Sequence, residues 1–240
     1  AVLNLTATTL FLVAATLLYG AVGTLNMADL ARLMRTDTAA LVHALAGLFL
    51  FAFAMKAAAF PLNFWLPASY HTPRIVVAAL FGALLTKVGI YALLRVLVMI
   101  MPVGQSARGE VIGWAAAATM ILGALGALAQ SDLRRTCGFL VISGVGAMLA
   151  GLAVGGEEGI SGAILYAVHS MLAIAAIYLA TAAIHERTGS VSLHGLGGLY
   201  TGAPMLAAII FLLMLALGGL PPGSGLWPKV LIVKAALGEG

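Results

Sequence analysis

The sequence predicts an all-α integral membrane protein of about seven transmembrane helices, two of them broken. Three observations carry this. Of the 240 residues, 62% are hydrophobic and 8% charged, with mean hydropathy +1.11, against roughly 25% charged in a soluble domain. Apolar runs recur at the length of about 20 residues that a hydrocarbon layer of about 30 Å requires. Prolines interrupt two of those runs, at Pro61 and at Pro221 and Pro222, and irregular backbone at membrane depth survives only where protein or a water-filled cavity surrounds it.

Ala1 to Gly23 carries no charge and reads as the first span. Thr24 to Thr38 sets Asp29, Arg32, Arg35 and Asp37 among Leu25, Leu30 and Leu33, a pattern that suits a short amphipathic surface helix and, equally, a solvated connector. Ala39 to Phe60 is the second span. Pro61, Pro67 and Pro73 keep it from running on, and Pro61 has no N–H for the carbonyl of residue 57, so the backbone loosens beside Lys56. Ile75 to Met101 is the third span, with Lys87 at its centre and Arg95 near enough to its end to snorkel. Val111 to Gln130 is the fourth and contains Trp114; in the polar turn Ser131 to Arg135, Arg134 and Arg135 read as interface anchors. Cys137 to Gly155 is the fifth, where Gly144, Gly146, Ala147, Ala150 and Gly151 allow close helix packing in lipid. Ile160 to Ile184 is the sixth, with Tyr166 and His169 on one helical face. After His185 to Gly202, the seventh span starts as Ala203 to Leu220, breaks at GGLPPGSG and resumes as Leu226 to Leu237 with Lys229 and Lys234.

Lysine at bilayer depth costs on the order of 3 kcal/mol or more. No acidic residue shares the segments of Lys56 and Lys87, so both read as functional groups, the alternative being a static buried ion pair. His169 reads as a packing residue or as a proton relay. Lys229 beside the second break repeats the design at Lys56, and broken segments an odd number of spans apart run oppositely, as in transporters built from inverted repeats. Lys56 lies where its half-helix ends and Lys229 where its half-helix begins, so the helix dipole presents opposite poles to them and predicts a direction for proton transfer.

Other readings narrow the field. The single Cys137 suits a small buried residue. No Cys/His cluster, phosphate-binding glycine loop or Ser/His/Asp set is visible, so no metal, cofactor or hydrolytic centre is indicated. The net charge of +4 is scattered and marks no nucleic-acid surface. Lacking an initiator Met or a leader, the chain reads as an internal fragment. The loops at 61–74, 131–135 and 185–202 are expected on one side, taken as cytoplasmic, and those at 24–38, 102–110 and 155–159 on the other; the arginines divide almost evenly between them.

Six stretches carry a family resemblance: GTLNMADLA at Gly23 to Ala31, KAAAFPLNFWLP at Lys56 to Pro67, LLTKVGIYALLR at Leu84 to Arg95, QSDLRR at Gln130 to Arg135, YAVHSM at Tyr166 to Met171 and GGLPPGSGLWPK at Gly218 to Lys229. In these the chain resembles the antiporter-like subunits shared by complex I and Mrp-type multisubunit sodium/proton antiporters, the family of Mrp D subunits above all. The resemblance implies an antiporter-like inverted-repeat fold, with 1–101 the end of the first repeat and 111–240 most of the second, in one proton-translocating domain. It implies that Lys56, Lys87, His169 and Lys229 form a protonatable chain along the membrane plane. It implies a transporter rather than an enzyme, in a bacterial inner membrane, with other hydrophobic antiporter subunits as partners and protons and monovalent cations as cargo. The alternative it leaves is a membrane-arm subunit of a redox-driven proton pump of complex I or membrane-bound hydrogenase type, against which Lys229 argues where one complex I subunit has Glu. A third class, a scaffold that transports nothing, sits poorly with mid-membrane lysines. Two departures stand out: the sequence does not contain the family's essential Glu on a preceding helix, and it has Leu140, Gly144 and Ala147 where many Mrp D sequences have His, Gln and Tyr.

Overall fold

The computed structural model describes residues 2–34, 40–100 and 107–238. The described residues form helices and their connections, without a strand. The main helices are α1 (Val2–Val22), α2 (Met27–Leu33), α3 (Ala40–Ala57), α4 (Trp65–Tyr70), α5 (Ile75–Leu94), α6 (Ala107–Leu128), α7 (Leu133–Val154), α8 (Gly156–Thr188), α9 (Leu199–Gly202), α10 (Pro204–Gly218) and α11 (Leu226–Gly238). Among the described residues five helices are long and apolar enough to cross a membrane: α1, α5 with its π-helical extension to Ile100, α6, α7 and α8. The shorter apolar helices are Ala44–Ala57 in α3 and Pro204–Gly218 in α10, the two that run into the breaks.

Order in the bundle follows from close contacts at small residues. A Cβ on Gly123 of α6 would lie 2.5 Å from the backbone of Ser143, and one on Gly146 of α7 2.6 Å from the backbone of Met120. A Cβ on Gly151 would lie 2.6 Å from the carbonyl of Gly159 in α8. In lipid, where apolar contact alone does not favour one helix neighbour over another, such backbone approach supplies the packing, and α7 becomes the central helix of the described bundle. α5 lies between α3 and α8, and α8 also packs on α10 and α11.

Three boundaries differ from the sequence reading. Residues 155–159 are no loop: Gly155 (φ 72°) and Gly156 (φ 63°) make the whole turn, and α8 starts at once with Glu157 and Glu158 in its first turn. At its other end α8 runs past Ile184 to Thr188, with His185 and Arg187 in the last turn. Acids at the N-terminus and bases at the C-terminus complement the dipole, and 33 residues span about 50 Å, so both charged ends clear the hydrocarbon. Helix α3 stops at Ala57, short of Phe60, for the reason given below. In Thr24 to Thr38 the short helix is α2, capped by the Asn26 side chain on the amide of Ala28, with Asp29 in its first turn and Arg32 in its last; Arg35 and Asp37 lie outside the described residues.

Three of the polar connections group as the alternation of spans expects. Arg134 donates to the carbonyl of His71 at 3.3 Å, while the amide of Leu193 donates to Ser131 O at 2.8 Å and that of Leu133 to Val191 O at 3.0 Å. These bonds tie the loops at 61–74, 131–135 and 185–202 together. Arg95 places its guanidinium on the sulfur atoms of Met99 and Met27 and over the Tyr91 ring, the anchoring role its position suggested.

Candidate functional site

Helix α3 ends because its last carbonyls are claimed. The amide of Ala59 donates to Ala54 O at 2.9 Å and that of Ala58 to Met55 O at 3.3 Å, the paired bonds of a Schellman cap. That cap needs a left-handed residue, and Ala58 supplies it at φ 60°, an arrangement that costs an alanine roughly 1–2 kcal/mol. Neighbours satisfy the rest of the loosened backbone. Phe60 N–H donates to Thr119 Oγ1 of α6 at 2.9 Å, and Trp65 Nε1 donates to Met55 O at 3.1 Å. Gly89 of α5 lets the two helices touch at this point, since a Cβ there would sit 2.7 Å from Ala57 N. Lys56, half-buried in the last turn of α3, extends to Asn4 Oδ1 of α1 at 3.4 Å. Pro61 lies in the connection between α3 and α4.

The second break is built bond for bond like the first. Leu220 N donates to Leu215 O at 2.9 Å and Gly219 N to Ala216 O at 3.2 Å, with Gly219 (φ 78°) in the place of Ala58. The next turn matches as well: Leu62 N to Ala59 O at 2.7 Å in one, Gly223 N to Leu220 O at 2.8 Å in the other. In this correspondence Pro61 matches Pro222, Pro67 matches Pro228, Lys56 matches Leu217, and Lys229 matches Ala68. The two lysines therefore stand on opposite sides of equivalent breaks. The ammonium of Lys229 nevertheless does not stay at the start of its own half-helix. Lys229 crosses Gly219, where a Cβ would come 2.6 Å from its Cδ, and donates to the carbonyls of Leu217 at 3.2 Å and Gly218 at 2.7 Å. The expected contrast of dipoles is thus absent. Although the Cα of Lys229 is in the first turn of α11, its long side chain carries the charge back to the negative end of α10.

Around Lys229 the structure gathers three further side chains. Its Nζ lies 5.8 Å from the centre of the Tyr166 ring, and that ring is 5.7 Å from the His169 ring. His169 Nδ1 is 2.9 Å from Ser224 Oγ in the break itself. Its Nε2 is buried without a well-formed hydrogen bond and points at Gly225, whose missing Cβ would lie 2.7 Å from that nitrogen and 2.0 Å from Ala216 O. Only glycine fits there. Ser224 is not singled out by the sequence, although as a lone hydroxyl inside GGLPPGSG it is the one side chain in that segment able to bond a neighbour. Tyr166 also fills the space beside Gly144, where a Cβ would meet its ring at 3.4 Å.

Lys87 is 2% exposed and donates to the carbonyl of Gly82, in its own helix, at 2.9 Å. Among the described residues no hydrogen bond joins Lys56 to Lys87 or Lys87 to His169. The structure gathers Lys229 and His169, while Lys56 and Lys87 stand on α3 and α5, two helices that cross at Ala57 and Gly89. None of the three lysines forms an ion pair among the described residues; the salt bridge there joins Lys234 to Glu158. No group of three or more His, Cys, Asp or Glu able to hold a metal ion occurs among them either. Ammonium groups on neutral acceptors, with an imidazole nitrogen left without a well-formed bond, can take up and pass protons.

Over residues 1–240 the sequence matches the family described as NADH:quinone oxidoreductase/Mrp antiporter, TM. It is 39% identical over 240 residues to the D subunit of the Na(+)/H(+) antiporter of Bacillus subtilis strain 168, covering all of this chain and 49% of that protein. It is 41% identical over 236 residues to the corresponding protein of Alkalihalophilus pseudofirmus, covering 98% of this chain and 48% of the relative. The chain thus spans about half the length of the curated relatives it matches. Among solved structures it is similar to a chain of the Mrp complex from Dietzia sp. DQ12-45-1b (TM-score 0.91, 37% identity, 98% of this chain and 43% of that one). It is also similar to a chain of respiratory complex I from Thermus thermophilus (TM-score 0.90, 27% identity, 98% and 50%).

Proposed function

Because the chain belongs to the NADH:quinone oxidoreductase/Mrp antiporter transmembrane family, we propose that it is part of a subunit of a secondary monovalent cation/proton antiporter. In this reading it lies in a bacterial inner membrane among other hydrophobic subunits and moves protons through Lys56, Lys87, His169 and Lys229. The observation that carries it is the electrostatic setting of the lysines. An ionisable residue within a membrane span marks an ion or proton pathway by default, and among the described residues these three lysines rest on an amide oxygen and on backbone carbonyls, not on a carboxylate. A cation so held gives up a proton without leaving a buried anion behind. The two matching breaks support the division into the end of one repeat at 1–101 and most of a second at 111–240.

The similarity to a complex I chain favours the second reading, a membrane-arm component powered by redox chemistry on other chains. Vesicles containing the full complex separate the two. Proton uptake or release on addition of sodium, with no electron donor present, is expected of the antiporter. Movement of protons only when quinone and a reductant are supplied would establish the redox-driven pump.

In this reading His169 is the connecting relay, steered by Ser224. His169→Ala is expected to slow exchange and His169→Lys, which restores a titratable group, to slow it less. Ser224→Ala removes the acceptor or donor at Nδ1 and is expected to lower the rate by about fivefold, the consequence of losing one hydrogen bond of about 1 kcal/mol. Equal losses from both His169 variants would mark it as a packing residue.

A further inference from the structure

The threonine beside Lys87 departs from the habit of the others. Threonine in a helix hydrogen-bonds to the carbonyl four residues back, and Thr16, Thr119, Thr136, Thr181 and Thr188 all do so, at 2.8, 2.5, 3.0, 2.8 and 2.9 Å. Thr86 does not. Its hydroxyl is fully buried and has no hydrogen-bond partner among the described residues. The carbonyl it would use is Gly82 O, and the Lys87 ammonium holds that oxygen at 2.9 Å. A carbonyl has two lone pairs. In an α-helix one of them takes the amide four residues on, here that of Thr86, so the Lys87 ammonium fills the other and excludes the hydroxyl.

We propose that Thr86 is a positioning residue for Lys87, its hydroxyl and the lysine ammonium taking turns on the Gly82 carbonyl as the lysine gains and loses a proton. This rests on reading Lys87 as a proton carrier. With Lys87 charged, the ammonium wins the carbonyl because a charged donor bonds more strongly than a neutral one, and the hydroxyl is released from it. Gly82 faces α8, where its Cβ would meet the ring of Tyr178 at 3.0 Å and Ile174 at 3.1 Å. Thr86, one turn on, shares that face. The released hydroxyl thus stands on the side of α5 toward the helix that carries His169. When the ammonium gives its proton to the next titratable group of the pathway, it becomes a neutral amine and that group gains the proton. The amine is the weaker donor, and the hydroxyl returns to Gly82. Thr86 itself neither gains nor loses a proton.

The test is cation/proton exchange by the intact complex in vesicles, with Thr86→Val, Thr86→Ala and Thr86→Ser compared at equal assembly and Lys87→Ala run alongside. Thr86→Val, nearly isosteric, is expected to lower the rate about tenfold, on the scale of one positioning hydrogen bond. Thr86→Ser, which keeps the hydroxyl, is expected to stay within about twofold of wild type. Should the valine variant fail to assemble, Thr86→Ala, which only removes atoms, carries the same expectation as Val. Wild-type rates from Val and Ala, or a Ser variant as slow as Val, with Lys87→Ala still inactive, would overturn the role of Thr86 and leave that of Lys87 intact. Normal exchange from Lys87→Ala would remove both.

Discussion

Alanine at position 87, or at position 56, is expected to abolish proton-coupled cation exchange while the complex still assembles. Lys87 shows why the two effects separate. Removing a buried charge relieves a desolvation penalty of several kcal/mol, while truncating a long side chain to Ala opens a cavity worth about 2–5 kcal/mol. The two roughly offset, so folding survives. The carbonyl of Gly82 is left to Thr86, which lacks a partner in the present arrangement. Lys56 is half-buried and among the described residues its one polar contact is the long one to Asn4, so its loss is still less of a structural event. What disappears in either variant is an ammonium group in a segment that holds no acidic residue. Exchange measured in vesicles from each variant, with subunit stoichiometry checked on native gels, decides the matter: normal exchange would defeat the assignment.

The second large effect is expected from Gly225→Ala. The added methyl would lie 2.0 Å from Ala216 O and 2.7 Å from His169 Nε2. Neither neighbour yields easily: the carbonyl belongs to the end of α10, and the imidazole is fixed by Ser224 on its other nitrogen. Overpacking of this kind costs about 1–3 kcal/mol, and more where backbone must move. The break opens or the histidine turns away, and in both cases exchange is lost. Gly218→Ala, only seven residues earlier in sequence, is the control, because its Cβ would meet nothing within 4 Å. Its exchange is expected to match wild type. Unchanged exchange in Gly225→Ala would show that the two half-helices are free to separate, and that the close fit of the break plays no part in transport.

Much of this architecture is legible in the sequence. The helices α1, α5, α6 and α7 follow the apolar runs within a few residues, because a span is fixed by the thickness of hydrocarbon and each residue contributes locally. The breaks are legible through Pro61, Pro221 and Pro222, since a missing N–H interrupts a helix whatever surrounds it. The extent of α8 is not. Its ends are polar, and polar residues at the edge of an apolar run resemble loop even where they cap a helix longer than the membrane is thick. Nor is the stop at Ala57 legible, because no glycine or proline marks Ala58. Its left-handed conformation is held by the cap and by the close crossing of Gly89.

The sequence by itself determined that lysines would lie within apolar segments, Lys56 and Lys229 of them beside breaks, since hydropathy and proline chemistry act residue by residue. Which atoms those lysines touch was decided only by the tertiary structure. A lysine side chain reaches a full helical turn, so the position of its Cα does not say where its charge rests. Lys229 belongs to the first turn of one half-helix and places its ammonium on the last carbonyls of the other. Ser224 meets His169 across 55 residues of sequence, a pairing made by the packing of α8 against the second break. Contacts of that range depend on helix crossings set by glycines on several helices at once, and no local pattern encodes them.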